Sequence, residues 1–317
     1  MHWLVKRGLQ NVLGVLPASE SANYLFQRYV TRRLPIGDAG VARKFRRARS
    51  HLAAYERHGP GRALAETTAY EFGAGWDLAI PLSYAALGVG RQVLVDIRPN
   101  LRLELVNATL ASLARQSDEL AAESGRELRD LGPADVASAE ELRARFGIEY
   151  RAPCDAAATG LEAGSVDLVT STNTLEHVPA AAIAPILREA ARLLRPDGLM
   201  SFRIDMQDHA SYVDPRRSPY DYLRYSDRAW RFLSPKLEYE NRLRLSDYRA
   251  LFAEAGLAIV DEAVTRPRPE HLAALAQVPL APRFRRYAPE DLAARAVEVV
   301  LQRRSPDRAE QLGDLAG

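Results

Sequence analysis

The chain has 317 residues, enough for one large domain with additions or for two smaller ones, and its 47% hydrophobic content is ordinary for a soluble protein. A formal net charge of +2 excludes a global field that would pull it onto nucleic acid, and a single cysteine, Cys154, excludes an internal disulfide or a cysteine-rich zinc site. No apolar run reaches the roughly 18 residues of a membrane span, and nothing at the N-terminus reads as a secretory signal, so the cytoplasm is the expected compartment.

Residues 1–62 read as a helical extension ahead of any sheet. Trp3, Leu4, Val5, Leu9, Val12, Leu13 and Leu16 make an amphipathic first helix that stops near Pro17, and Ser21 to Arg33 reads as a second. Phe45, Ala48, Leu52 and Tyr55 give a third at helical spacing, ended by Gly59-Pro60-Gly61. This stretch holds 12 Lys or Arg against Glu20, Asp38 and Glu56. It reads either as a cap packed on the following domain or as a basic face for peripheral membrane contact. Only three lysines (Lys6, Lys44, Lys236) stand among 43 basic residues. Such an arginine skew, with abundant alanine, suits a GC-rich genome, so arginine clusters carry less functional weight here.

From Ala63 strands and helices alternate. Ala69-Tyr70-Glu71-Phe72 reads as a strand running into the turn Gly73-Ala74-Gly75, then a helix from Trp76 to Leu87, then Val93-Leu94-Val95 ending at Asp96. This is the first half of a nucleotide-type site in an open α/β sheet. Glu71 would repel a pyrophosphate over the helix N-terminus, and Leu78 stands where a dinucleotide fingerprint has its third glycine. A ligand with a cationic amine at one end and a ribose at the other suits Glu71 and Asp96 better; S-adenosylmethionine is such a ligand. A second crossover helix spans Leu101 to Leu113, lengthened by a charged, mostly helical stretch from Ser117 to Phe146. Ile148 to Arg151 is a short third strand, followed by Cys154-Asp155-Ala156. Val166 to Ser171 is a fourth, running into Asn173-Thr174-Leu175-Glu176-His177-Val178. A helix from Ala181 to Leu194 and a strand from Leu199 to Ile204 come next. Residues 206–246 interleave Tyr212, Tyr220, Tyr222, Tyr225, Trp230, Phe232 and Tyr239 with arginines and fit neither one helix nor one strand. Leu245 to Ala255 reads as a helix with Ser246 as N-cap and Gly256 beyond its end. Leu257 to Val264 is a strand, and after a proline-rich excursion Ala294 to Leu301 returns antiparallel beside it.

In this order and spacing the chain resembles the class I S-adenosylmethionine-dependent methyltransferases, specifically the broad bacterial group with a Leu-Glu-His-Val segment after the fourth strand. The resemblance covers roughly residues 65–265. It implies an α/β fold: a Rossmann-like, mostly parallel sheet with an antiparallel last strand and helices on both faces. Residues 63–317 would form that domain, with an acceptor-binding insertion at 206–246. It implies that Glu71, Gly73 and Gly75 hold the methionine portion of S-adenosylmethionine, that Asp96 accepts from the ribose hydroxyls with Ile97 beside it, that Asp155 and Ala156 meet the adenine, and that Asn173 lies near the methyl. His177 and His209 are rival candidates for a general base, since an imidazole titrates near neutrality; each also reads as a merely structural histidine. Ligand spacing for a metal is not evident, so no metal is expected. A small-molecule or glycan acceptor methylated at oxygen or nitrogen is the expected substrate. The competing readings are a nicotinamide-dependent oxidoreductase, which Glu71 and Leu78 disfavour, and a non-catalytic methyltransferase-like binding protein. A nucleic-acid acceptor is disfavoured because no recognised binding module or Asn/Asp-Pro-Pro-Tyr/Phe loop is present.

Overall fold

A computed structural model describes Tyr24, Arg28 and residues 34–304 except 215, 235–238 and 266. The first expected helix, nearly all of the second, and the tail beyond residue 304 lie outside these residues, and with them Lys6, Arg7, Arg32 and Arg33 of the basic face considered for membrane contact. No described helix is long and apolar enough to cross a membrane.

Seven strands form one sheet in the order β3-β2-β1-β4-β5-β7-β6. They are β1 (Thr68–Phe72), β2 (Arg91–Val95), β3 (Ile148–Arg151), β4 (Val166–Thr172), β5 (Leu194–Asp205), β6 (Leu257–Val264) and β7 (Ala296–Arg303). β1 pairs in parallel with both β2 and β4, β2 with β3, and β4 with β5, while β7 runs antiparallel to β5 and β6. This is the class I methyltransferase sheet that the strand order in the sequence predicts. Its centre is apolar on both faces because helices cover both. Adjacent residues therefore feed opposite layers. Leu94, Leu168 and Leu199 join one core, whereas Val93, Val169 and Met200 join the other.

The first layer holds α1 (Asp38–His58), α2 (Ala79–Ala86) and α3 (Leu103–Arg115). α1 buries Val41, Phe45, Ala48, Leu52 and Tyr55, an i, i+4, i+7 stripe, into the same core as the central strands. The described part of the N-terminal extension is thus a packed cap, sharing its core with the sheet rather than forming a unit of its own. The stretch from Ser117 to Phe146 is less helical than its charge pattern predicts. It holds two short helices, α4 (Ser117–Ser124) and α5 (Ala139–Phe146), separated by an irregular run through Gly132-Pro133. α5 starts where the Ser138 hydroxyl accepts from the Glu141 N–H. The opposite layer contains α6 (Ala180–Leu193), with Ile183, Ile186, Leu187 and Ala190 turned to the sheet.

The described residues of 206–244 hold two 3₁₀ turns and one short helix, α7 (Asp227–Leu233). Then comes α8 (Leu245–Glu254), whose N-cap is Arg244 and not Ser246: the Arg244 N–H donates to the Asp247 carboxylate at 2.9 Å, while the Ser246 hydroxyl turns away to Asp291. Prolines open each short helix of the excursion before β7, namely α9 (Pro269–Ala276), the 3₁₀ turn Pro282–Arg286 and α10 (Pro289–Ala293). There the missing N–H costs nothing. These pieces and the 206–244 segment enclose a third core of Tyr220, Tyr222, Trp230, Leu275, Phe284 and Leu292.

Candidate active site

β1 delivers the chain to the carboxyl edge of the sheet and the turn after it is left-handed twice, at Gly73 (φ +76°) and Gly75 (φ +77°). The two glycines serve different ends. A side chain at Gly73 would collide with Thr174, its Cβ lying 2.4 Å from Thr174 Cγ2, so this glycine lets the turn pack against the loop after β4. A Cβ at Gly75 would meet nothing within 4 Å, so here the backbone faces open space that a ligand can approach. Leu78, at φ +49°, extends the turn, and α2 accordingly begins at Ala79 rather than Trp76.

Glu71 stands under this turn, buried, with its Oε2 lacking a hydrogen-bond partner. Burial pushes its carboxyl up to about 8, opposed by Lys44 and reinforced by Asp77. Lys44 reaches in from α1 and binds Asp77 through both carboxylate oxygens, at 2.9 and 3.0 Å. A cationic amine brought to Glu71 would supply what burial withholds, and the carboxyl would ionise to meet it.

Asp96 follows β2, nearly buried, and its carboxylate accepts from the Arg98 N–H and the Asn100 side-chain amide at 3.2–3.3 Å. Ile97, beside it, is 65% exposed, an apolar surface at the rim of the site. The Asp96 carbonyl accepts from the Cys154 N–H at 2.8 Å, which ties the loop after β2 to the loop after β3. Asp155 is exposed and its Oδ1 accepts from the Ala157 N–H, while Ala156 packs at the edge of the second core.

The other half of the edge lies after β4 and β5. Asn173 adopts φ +55° and accepts from Arg47 Nη1 of α1 at 2.6 Å. Burial, with Arg203 and Arg43 nearby, lowers the Arg47 pKa. The next three-residue 3₁₀ turn, Leu175–His177, is held by Asn241. Its side-chain amide donates to the carbonyls of Leu175 and Val178, and its N–H to that of Glu176. Glu176 is buried, and desolvation with Asp205 close by raises its pKa well above the usual range, against hydrogen bonds from its own N–H, the Asp205 N–H and the Asn173 side chain. His177 Nδ1 lies 2.6 Å from the Tyr239 carbonyl, and His209 Nδ1 lies 3.3 Å from Glu240 Oε1. The Tyr239 carbonyl only accepts, so His177 Nδ1 carries the proton.

The two histidines read as rivals in the sequence are neighbours in space, their rings 5.0 Å apart and edge to face. With Glu176 they form a group whose candidate ligand atoms all lie within 4.8 Å of one another. The sequence does not display this group, because His209 is 32 residues from His177 and arrives on the loop after β5. The contributions of α1 (Lys44, Arg47) and of Asp77 and Asp205 were equally unread. The one local signal was the charge of Asp77 at the end of the glycine turn. Residues 239 and 241 bond the loop after β4, and His209 lies on the loop after β5. Two tyrosines central in this segment pack inward. Tyr222 is buried, donating to the Met206 carbonyl and accepting from Arg244 Nη1, and Tyr225 stacks on Trp230.

Residues 127–202 match the family model described as "Methyltransferase domain". The fold is that of a class I methyltransferase. The matched segment of this methyltransferase sheet takes in Asp155, Ala156, Asn173, Glu176 and His177 and leaves Glu71–Gly75, Asp96 and His209 outside. No curated protein matches the chain in sequence. Among solved structures, the chain is similar to an S-adenosylmethionine-dependent methyltransferase from Leishmania major, at 14% identity over 95% of this chain and 83% of that one, with a TM-score of 0.46. It is also similar to the geranyl diphosphate C-methyltransferase of Streptomyces coelicolor, solved with Mg2+, geranyl diphosphate and S-adenosylhomocysteine, at 15% identity over 80% and 77% of the two chains and a TM-score of 0.43.

Proposed function

We propose that the protein is an S-adenosylmethionine-dependent methyltransferase acting on a small-molecule or glycan acceptor at oxygen or nitrogen. One arrangement carries this reading: the Glu71–Gly75 turn and Asp96 lie side by side at the carboxyl edge, joined by the Gly73 N–H donating to the Val95 carbonyl at 3.0 Å. The residues fit the cofactor. The partnerless buried oxygen of Glu71 suits its ammonium, the open face of Gly75 admits its methionine portion, Asp96 accepts from the ribose, and Ile97 offers an apolar surface to the adenine, with Asp155 and Ala156 beyond. S-adenosylmethionine supplies a methyl group already activated on a sulfonium, so the protein needs no nucleophile of its own. Its residues hold donor and acceptor in line and exclude water. The acceptor meets the methyl at the edge bounded by Asn173, Arg47 and the histidine pair.

The test is binding of S-adenosylhomocysteine by calorimetry. Asp96→Ala removes a charged acceptor and should cost roughly 1.5–3 kcal/mol of affinity. Unchanged affinity in a folded variant would remove Asp96 from the site, and no binding to the wild-type chain would overturn the reading.

A further inference from the structure

We infer that Arg43 and Arg47 of α1 form an oxyanion clamp at the acceptor side of the edge, so that the acceptor carries a phosphate or a carboxylate. The assignment to an acceptor rests on the methyltransferase reading. α1 is fixed to the sheet in successive turns that lead out over the carboxyl edge. His51 sits between Thr172 and Ser201, Arg47 bonds Asn173 just beyond β4, and Lys44 holds Asp77 behind the glycine turn. Residues 43–47 therefore lie where the strands end, and Arg43 stands one turn before Arg47 on the same row of the helix.

The charges decide what this wall can hold. Four basic side chains of α1 are paired with carboxylates: Lys44 with Asp77, Arg46 with Glu123, Arg49 with Glu56 and Arg57 with Asp261. The remaining two, Arg43 and Arg47, have no ion pair among the described residues. Arg47 donates to the neutral Asn173 amide, at 2.6 Å, and Arg43 is exposed. The arginine-rich composition does not explain this pair, because its neighbours on the same helix each find an acidic partner. Arg47 is half-buried, and burial with Arg203 and Arg43 beside it lowers its pKa. Asp205 and Glu298 act the other way. Both are already engaged, Glu298 by Arg203 and Ser50, and Asp205 by Tyr212 and Gln207. A guanidinium drawn partly out of water beside like charges is costly, and an arriving anion would offset that cost.

A guanidinium is a planar fork of donors that matches the oxygens of a carboxylate or a phosphate, and two forks one helical turn apart can converge on one such group. An acceptor held there by its anion lies against Asn173 and leaves Glu71 and Asp96 to the donor. The rival occupant is the donor's own carboxylate. The acceptor is favoured because Arg47 is tied to the loop after β4, whereas Glu71, which suits the donor's ammonium, lies on the side of the glycine turn, where Lys44 and Asp77 already pair.

The experiment uses the full chain with S-adenosylhomocysteine in excess, titrated by calorimetry with inorganic phosphate and, separately, with acetate at constant ionic strength. One anion per chain is expected, and the tighter probe names the group. Arg43→Gln and Arg47→Gln should each weaken binding roughly tenfold or more, as for loss of a charged hydrogen bond, and Arg47→Lys should not restore it. Arg46→Gln removes the same charge from the same helix and should leave binding unchanged. Arg43 is exposed, so its variant keeps the test open if Arg47→Gln fails to fold. Binding of neither anion, or binding weakened as much by Arg46→Gln, would overturn the inference. So would phosphate excluded by the bound donor together with a loss of S-adenosylhomocysteine affinity in Arg47→Gln, which would give the clamp to the donor's carboxylate. S-adenosylhomocysteine is also titrated alone. If it binds and the anions do not, the clamp fails alone; if the anions bind through Arg43 and Arg47 and it does not, the anion site stands and the methyltransferase reading fails.

Discussion

A carboxyl with a pKa near 8 is mostly protonated at pH 7, and Glu71 is in that condition without a ligand. If it receives the ammonium of the cofactor, the ionised form is favoured and its proton must leave. Binding of S-adenosylhomocysteine at pH 7 should therefore release close to one proton. The release is measured as a dependence of the calorimetric enthalpy on the buffer's ionisation enthalpy. Affinity should rise with pH up to about 8 and then level off. Glu71→Gln should abolish both effects; proton release that persists in this variant would move the ammonium elsewhere. Glu71 and Asp96 were legible in the sequence because strand, turn and carboxylate follow one another within 26 residues. Lys44 and Arg47 were not, since Arg47 reaches Asn173 across 126 residues and its helical pattern shows only the apolar side.

The seat of α1 turns on His51. Its ring is buried between Ser201 Oγ at 2.7 Å and Thr172 Oγ1 at 3.0 Å, and desolvation lowers its pKa to about 4. The unfolded chain binds this proton near pH 6.5 and the folded one only near 4, so the stability is complete above about 6.5 and is lost as pH falls between the two. The full difference is about 3 kcal/mol. Glu71, with a raised pKa, acts in the opposite sense over part of this range. The His51 share is therefore read as the difference between wild type and His51→Gln in urea denaturation at pH 7.5 and 4.5. A difference that does not change with pH would refute the assignment. In the 206–244 segment, Tyr222→Ala should cost about 3–5 kcal/mol of stability, as for other buried aromatics, because the ring closes the third core and its hydroxyl is shared by Met206 and Arg244. A stable Tyr222→Ala chain would show that the ring is dispensable there. The sequence displayed the strands because period-2 and continuous apolar runs are local. It could not show which face of an irregular, aromatic-rich segment turns inward, since no period governs it.

At the level of the molecule, the ligand choice is open to one comparison. A ligand at 100 times its dissociation constant adds about 2.7 kcal/mol to the folded state, a rise of roughly 5 °C or more in Tm for a domain of this size. S-adenosylhomocysteine should produce it and NAD should not. An equal shift with NAD would restore the oxidoreductase reading.

The position of α1 also bears on how the chain leaves the ribosome. Helix residues 38–58 are made early, yet the hydroxyls that clasp His51 are made 121 and 150 residues later. At roughly 5–20 residues per second, that is a wait of about 8–30 s during which Phe45, Leu52 and Tyr55 have no strand to lie on. A nascent chain arrested before Ser201 should thus be cut by protease within 38–58, and one released at full length should not.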